Sequence, residues 1–341
     1  MTRARISPGG ARGSTGSPRP ERVEVGTKTR QPFASDVQYY LTLRPRQLPS
    51  QYFYDALGSA LFDAICRLPW YGITRAELRL LEAHGRDVFA RFDRLATLVE
   101  LGPGSGQKLA TFVDAARTRP GPLTVHLVDL SAAALASASA TLIARDEVRL
   151  CAHEAPYEVG LAEATRGTLG GGTTLVLFLG SNIGNFDPPG AEALLRGIRA
   201  ALGSRDGLLL GADLVKPERE LVLAYDDPLG VTGAFNRNLL VRIDRELGGT
   251  FDVARFAHRA VWNAAESRVE MHLVSLGRQR VQVAAADLDF TIEPGESIWT
   301  ESSYKYQPDE VVATLEHAGF RLIEQWIDRQ DLFALTCVEA V

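Results

Sequence analysis

The sequence predicts an α/β fold: a mainly parallel, doubly wound sheet that closes in an antiparallel hairpin, with a second, mixed α+β region inserted late in the chain. Three observations carry this. From about residue 96 short apolar runs alternate with amphipathic stretches, the pattern of repeated βα units. After residue 213 that rhythm breaks into longer segments with strand-like alternation, such as RVEMHLVSL and QRVQVAAADLDF. The last two apolar runs, FRLIEQWI and LFALTCV, are separated only by DRQD and read as a terminal hairpin.

Taken in order, residues 1–32 are rich in Arg, Gly, Ser and Pro with few large apolar groups, so burial cannot offset their ordering entropy and a disordered tail is expected. Strands are predicted at 96–101, 123–129, 147–151, 174–180 and 207–213. Helices are predicted near 106–117, 132–144 and 190–202, with Ser131 placed to cap the second and Gly203 to end the third. Residues 216–300 read as an insertion with its own small sheet. A further helix is predicted over 308–318, with Pro308 in its first turn and Gly319 just past its end.

The bulk properties exclude several function classes. A chain of 341 residues that is 45% hydrophobic can bury a large core, as one big domain or two interlocked ones. Its net charge of −5 and pI near 5.8 lack the basic surface that nucleic acid binding requires. The three cysteines, Cys66, Cys151 and Cys337, are far apart and odd in number, which argues against a disulfide framework or zinc site and for a reducing cytoplasm. No apolar run is long enough to span a membrane, and the N-terminus lacks a signal-peptide core. The histidines, His84, His126, His153, His258, His272 and His317, never fall at metal-ligand spacing, so no metal is expected. Asp226 and Asp227 before Pro228 read as a turn or helix start.

The stretch LVELGPGSGQKLA at 98–110 sets Glu100, Gly102, Gly104 and Gly106 directly behind an apolar run. A dinucleotide fingerprint is G-x-G-x-x-G, whereas this loop is E-x-G-x-G-x-G. Its acid would repel a pyrophosphate and suits a ligand with a cationic end, which points to S-adenosylmethionine. Lys108, one turn into the following helix, is placed to meet a ligand carboxylate. Asp129, ending the second strand, is where a carboxylate takes ribose hydroxyls. A doubly wound sheet that closes with a hairpin is also the layout of class I methyltransferases.

Further stretches carry a family resemblance: FYDALGSALFDAICRLPWYGITRAE (53–77), FLGSNIGNF (178–186), AYDDPLGVTGAFNRNLL (224–240), RVEMHL (268–273) and TESSYKY (300–306). Together they resemble the histidine-specific Nα-methyltransferases of ergothioneine biosynthesis, over nearly everything after residue 36. The resemblance implies a Rossmann-like class I methyltransferase sheet and trimethylation of the L-histidine α-amine to hercynine, with S-adenosylmethionine as co-substrate. It implies a substrate pocket of Tyr54, Phe62, Tyr71, Asn185, Tyr225, Met271, Glu301 and Ser303. Within it Asn185 and Tyr225 would hold the amine and carboxylate and act as the catalytic pair, while Tyr71 and Glu301 would face the imidazole. Members of the family often read YYPTR where this chain reads YGITR, so Tyr71 is kept and Gly72 and Ile73 depart. The segment CAHEAPY at 151–157 lacks the family's Asp-Phe step near adenine and leaves His153 or Glu154 as the adenine contact.

The chemistry is consistent with these residue types. Methyl transfer to an amine is an in-line displacement that needs orientation of a free amine and no covalent nucleophile. Asn185 is neutral and can orient the amine through its carbonyl oxygen. A Glu301 carboxylate accepts a ring N–H and rejects side chains offering only apolar surface. Met271 can pack on the ring, and the tyrosines offer π-faces to a growing trimethylammonium. The expected organisation is a substrate-binding domain from 33–75 and 216–305 and a methyltransferase domain from 76–215 and 306–341, acting as a monomer on a small molecule, without nucleic acid or membrane partners. The alternatives are N-methylation of another amino acid or indole amine, a non-catalytic S-adenosylmethionine-binding module, and, more distantly, a nicotinamide oxidoreductase.

Overall fold

The computed structural model of the chain describes residues 27–92, 94–115, 123–143, 145, 148–166 and 171–341. Its centre is a seven-stranded sheet. The strands are β1 (Leu95–Leu101), β2 (Leu123–Asp129), β3 (Val148–Glu154), β4 (Thr173–Phe178), β5 (Gly207–Asp213), β6 (Phe320–Asp328) and β7 (Phe333–Ala340). They run in the order β6-β7-β5-β4-β1-β2-β3, parallel from β5 through β3, with β7 antiparallel to β5 and β6 antiparallel to β7. The chain starts in the middle, winds outward twice, and inserts its last strand between β5 and β6. The predicted topology and closing hairpin are therefore present.

The inner strands are apolar on both faces because each face is covered. Leu98, Leu175, Leu177 and Leu209 join one core, while Val99, Leu101, Val176, Phe178, Leu208 and Leu210 join the other. Helices cover the sheet where the sequence places them: Gln107–Ala115, Ala132–Leu142, Pro188–Ala201 and Pro308–His317. Ser131 caps the second by accepting the Ala134 N–H at 3.2 Å. The last is closed by a capping box of Gln307 and Glu310, with Pro308 in its first turn, and Gly319 follows it at φ +93°.

Several boundaries differ. The helix ending at Ala201 is capped by extended Leu202, and Gly203 instead donates its N–H to Asp206 Oδ2. Helix Tyr157–Thr165 was not anticipated; its stretch YEVGLAEAT has a small-residue face that packs closely, Gly160 lying against Val128. The helix Thr27–Thr42 begins inside the stretch expected to be a disordered tail, while residues 1–26 lie outside the described residues. Helix Ile73–Arg91 runs unbroken through the expected junction at 75/76. Its Arg79 is clamped to Asp328 (2.7 Å) and Asp331 (2.7 Å) at the tip of the β6–β7 hairpin.

Residues after β5 form the inserted region. Two helices, Glu218–Tyr225 and Val231–Leu247, come first, and neither was anticipated. A four-stranded sheet follows, with Ser297–Tyr304 between Arg46–Gln47 and Arg268–Ser275, and Phe256–Asn263 at the far edge. Gln279–Val283 and Leu288–Ile292 make a separate hairpin. Strand Ser297–Tyr304 carries the chain back to the central sheet, with the Tyr306 N–H donating to Asp213 O at 3.1 Å.

Candidate active site

A cavity opens where the inserted sheet meets the C-terminal end of β4. Tyr54, Phe62, Tyr71, Asn185, Tyr225, Met271, Glu301 and Ser303 all line it. Every residue expected in the substrate pocket is therefore brought to one place, from five separated stretches of chain. Ile73, Ser181, Asn182, Thr232 and Phe235 are also part of the wall.

Local structure explains each placement. Tyr54 ends the 3-10 turn Ser50–Phe53, and Asp55 then caps the helix bearing Phe62 by accepting the Gly58 N–H at 2.7 Å. Tyr71 immediately precedes helix Ile73–Arg91 and is 6% exposed. A side chain at Gly72 would run into the Asp331 carboxylate at 2.4 Å, so this position faces the hairpin tip, and the first residue of YGITR supplies the pocket tyrosine. Tyr225 ends its helix. Its carbonyl accepts the His258 Nε2–H at 2.7 Å, while His258 Nδ1 accepts from Asn236 at 2.9 Å, which fixes the imidazole tautomer. Asp227 takes the backbone N–H groups of Leu229, Val231 and Thr232 and so starts helix Val231–Leu247, as the DDP turn predicts.

Asn185 lies in the short turn Asn182–Asn185 after β4 and stays exposed at the cavity mouth. Ser181 before it adopts a left-handed conformation, φ +58°, rare for a residue with a side chain, and its hydroxyl accepts the Asp213 N–H at 2.9 Å. Met271 and Glu301 sit opposite each other on adjacent strands beside a register irregularity at Trp299/Glu301. Burial pushes the Glu301 carboxyl up to about 7.

The rings form a chain around the space. Tyr54 meets Phe62 edge to face at 5.5 Å and Phe235 at 5.7 Å, Phe62 meets Tyr71 at 6.3 Å, and Tyr71 meets Tyr225 at 6.2 Å. Burial raises the Tyr54, Tyr71 and Tyr225 phenols, so all three remain neutral donors near pH 7.

The glycine loop adjoins this cavity. Gly102, Gly104 and Gly106 all have positive φ, at +76°, +54° and +75°. A Cβ on Gly106 would lie 2.7 Å from Ala138 Cα, whereas Gly104 faces open space. Glu100, 1% exposed, has both carboxylate oxygens buried and without a hydrogen-bond partner among the described residues, and burial raises its carboxyl to about 8. Asp129 ends β2 half-buried, its Oδ1 accepting the Ser131 N–H at 2.8 Å, so it serves the local turn.

Two placements differ from expectation. Lys108 does not project freely toward a ligand: its ammonium pairs with Glu77 at 2.8 Å. His153 turns away from the crevice to His126 (2.9 Å) and Glu163 (3.0 Å), because alternation along β3 sends it to the helix-covered face. Glu154, its neighbour, stands exposed beside Asp129 at the strand ends.

Two buried groups were missed. Glu77 is 0% exposed and accepts the Gly180 N–H with both oxygens, at 2.9 and 2.8 Å. An acid on the apolar stripe Ile73, Ala76, Leu80, Leu81 was the available signal. Lys305, also fully buried, pairs with Asp213 at 2.9 Å beneath the cavity. Its signal was the alternation Glu301, Ser303, Lys305, which puts it on the same face as two pocket residues. Among the described residues no cluster of His, Cys, Asp and Glu could hold a metal ion, and no helix is long and apolar enough to cross a membrane.

A family profile described as histidine-specific methyltransferase, SAM-dependent, matches residues 33–340. The chain belongs to that family. Among these histidine-specific methyltransferases it is similar to histidine N-alpha-methyltransferase of Mycobacterium tuberculosis, 45% identical over 303 residues that cover 88% of this chain and 92% of the relative. It is similar also to histidine N-alpha-methyltransferase of Mycolicibacterium smegmatis, at 41% identity with the same coverage of 88% and 92%. Ergothioneine biosynthesis protein 1 of Schizosaccharomyces pombe is 27% identical over 84% of this chain and 38% of its own length.

Proposed function

We infer that this protein transfers methyl groups from S-adenosylmethionine to the α-amine of L-histidine, giving hercynine, the betaine precursor of ergothioneine. Membership of the histidine-specific family over residues 33–340 is the observation that carries it. S-adenosylmethionine supplies an electrophilic methyl group on a cationic sulfur. The residues present fit it: a buried Glu100 with no hydrogen-bond partner among the described residues, beside a glycine cradle open at Gly104, favours a ligand with positive charge and a close backbone approach.

For the roles of individual residues we propose the following. Glu100, Gly102, Gly104, Gly106 and Asp129 hold the co-substrate, with Lys108 acting through Glu77 and Glu154 at the rim. The substrate lies in the aromatic cavity, its imidazole toward Tyr71 and Glu301 and packed on Met271, its amine toward Asn185 and its carboxylate toward Tyr225. Asn185 Oδ1 accepts an amine N–H and so points the nitrogen lone pair at the methyl group, while a nearby sulfonium disfavours the ammonium form. Each transfer forms an N–C bond, breaks the S–C bond and releases one proton until the amine is quaternary. Tyr54, Tyr71, Tyr225 and Phe62 surround the growing cation with π-faces. An indole substrate would leave the Glu301 carboxyl without the partner that an imidazole supplies.

We propose further that 33–75 with 216–305 is the substrate-binding domain and 76–215 with 306–341 the methyltransferase domain. We propose too that the protein acts as a monomer on free histidine in the cytoplasm, the last in keeping with free cysteines. Its acidic balance favours neither nucleic acid nor an anionic membrane as partner. Mass spectrometry of the protein incubated with S-adenosylmethionine and an equimolar mixture of the twenty amino acids tests the activity. Mono-, di- and trimethylated histidine alone is the expected outcome; methylation of another amino acid, or no product, refutes it.

A further inference from the structure

Lys305 is fully buried just after strand Ser297–Tyr304, beneath the cavity floor. Its three ammonium hydrogens are all engaged, by Asp213 Oδ2 at 2.9 Å, Tyr225 OH at 2.8 Å and Ser303 Oγ at 2.9 Å. The lysine therefore has no hydrogen left for a ligand and acts only through the two hydroxyls. Those hydroxyls lie 2.8 Å apart, and both line the cavity. Each already accepts from Lys305. Of their two hydrogens, one makes the bond between them and the other remains, so the pair presents a donor to whatever enters.

Charge adds a second argument. Asp213 lies between two ammonium groups, Lys216 at 2.6 Å and Lys305 at 2.9 Å, which leaves one positive charge in excess under the floor. Removing that charge from water is unfavourable unless an anion approaches. Glu301, Ser303 and Lys305 alternate along one face, so the acid stands at one end of the row and the cation at the other. A ligand with an imidazole N–H at one end and a carboxylate at the other matches this polarity.

We propose that Lys305 is a positioning residue that sets the Tyr225–Ser303 pair as a donor to the substrate carboxylate and thereby restricts the site to amines bearing an α-carboxylate. This rests on histidine being the substrate of the cavity. Asp213 keeps Lys216 when Lys305 is replaced, so Lys305→Met leaves no buried acid unpaired.

The test compares wild type with Lys305→Met in steady-state methylation of L-histidine. It also measures competitive inhibition by 3-(imidazol-4-yl)propionate, which keeps the carboxylate and lacks the amine, and by histamine, which does the reverse. Expected for the variant are a histidine KM raised about tenfold with kcat within about threefold, and imidazolepropionate inhibition weakened about tenfold with histamine changed less than about threefold. Equal weakening of both inhibitors, or no weakening of either, overturns the proposal. If Lys305→Met does not melt cooperatively, Lys305→Gln is read in the same way. In the wild type alone, imidazolepropionate must bind more tightly than histamine, and the reverse order also overturns it. Failure of the wild type to methylate histidine overturns instead the functional reading on which the proposal stands.

Discussion

Replacing Glu100 with glutamine should change the pH dependence of stability in the protein without co-substrate, and weaken co-substrate binding at the same time. Burial raises this carboxyl from 4.5 to about 8, and neither oxygen has a hydrogen-bond partner among the described residues. The native chain thus keeps a proton that the unfolded chain has released over that interval. Because the folded state binds more protons there, stability falls as pH rises from 4.5 and levels off above about 8. Between pH 4.5 and 7 the loss is about 3 kcal/mol, at about 1.4 kcal/mol per pH unit. The glutamine has no such equilibrium; its buried amide costs about 1–3 kcal/mol at every pH. With an unfolding entropy near 2 cal/mol/K per residue, the wild-type melting temperature should drop about 4 °C more than that of Glu100→Gln from pH 5 to 7. Glu301 contributes equally to both proteins and cancels. Differential scanning calorimetry across this range, with the co-substrate omitted, reads the difference. Affinity for S-adenosylmethionine should fall about tenfold or more in the variant, from loss of a charge-assisted contact. Melting curves that stay parallel with pH would refute the reasoning, since they would mean that Glu100 is not a desolvated acid waiting for a cation.

Glu301→Ala should raise KM for histidine and erase the preference for histidine over amino acids with apolar rings, measured by competition between substrates; retained selectivity would remove Glu301 from imidazole recognition. Glu77→Gln leaves the half-buried Lys108 ammonium without its paired counter-charge while keeping an acceptor for Gly180. A loss of about 2–4 kcal/mol in a urea titration is expected, with an unchanged midpoint as the contrary result. Gly106→Ala combines φ +75° with a Cβ placed 2.7 Å from Ala138 Cα. It should weaken co-substrate binding and cost about 1–3 kcal/mol of stability, and calorimetric binding equal to wild type would contradict this.

Much of the central sheet is legible in the sequence because its strands are continuous apolar runs and its helices are amphipathic, so local pattern and tertiary burial agree. Helices Glu218–Tyr225 and Val231–Leu247 escape because the DDPLG turn interrupts them and because Asn236 and Asn238 occupy buried positions that break the apolar stripe. The residues of the substrate cavity are readable through their resemblance to a known family; no local pattern marks Tyr54 or Met271 as different from core residues. The pairing of Lys108 is illegible for a physical reason. Its partner Glu77 lies on another helix, and an ion pair between distant segments has no periodicity to reveal it. Asp213 and Lys305 are hidden in the same way, although Asp213 ends a strand that the pattern does locate.

The start of helix Ile73–Arg91 bears on how the protein can be re-engineered. Within two turns Ile73 lines the cavity, Glu77 ties down Gly180 and Lys108, and Arg79 grips the β6–β7 hairpin tip. A library aimed at new substrates would lose most of its members if it randomised Tyr71 to Arg79, since one exchange there disturbs several layers together. Met271 and Glu301 lie across the cavity on strands of the inserted sheet, and the hydrogen bonds and ion pairs of Glu77 and Arg79 do not reach them. Diversity placed at those two positions, with the helix start held fixed, explores amine scope while leaving the co-substrate cradle as it is.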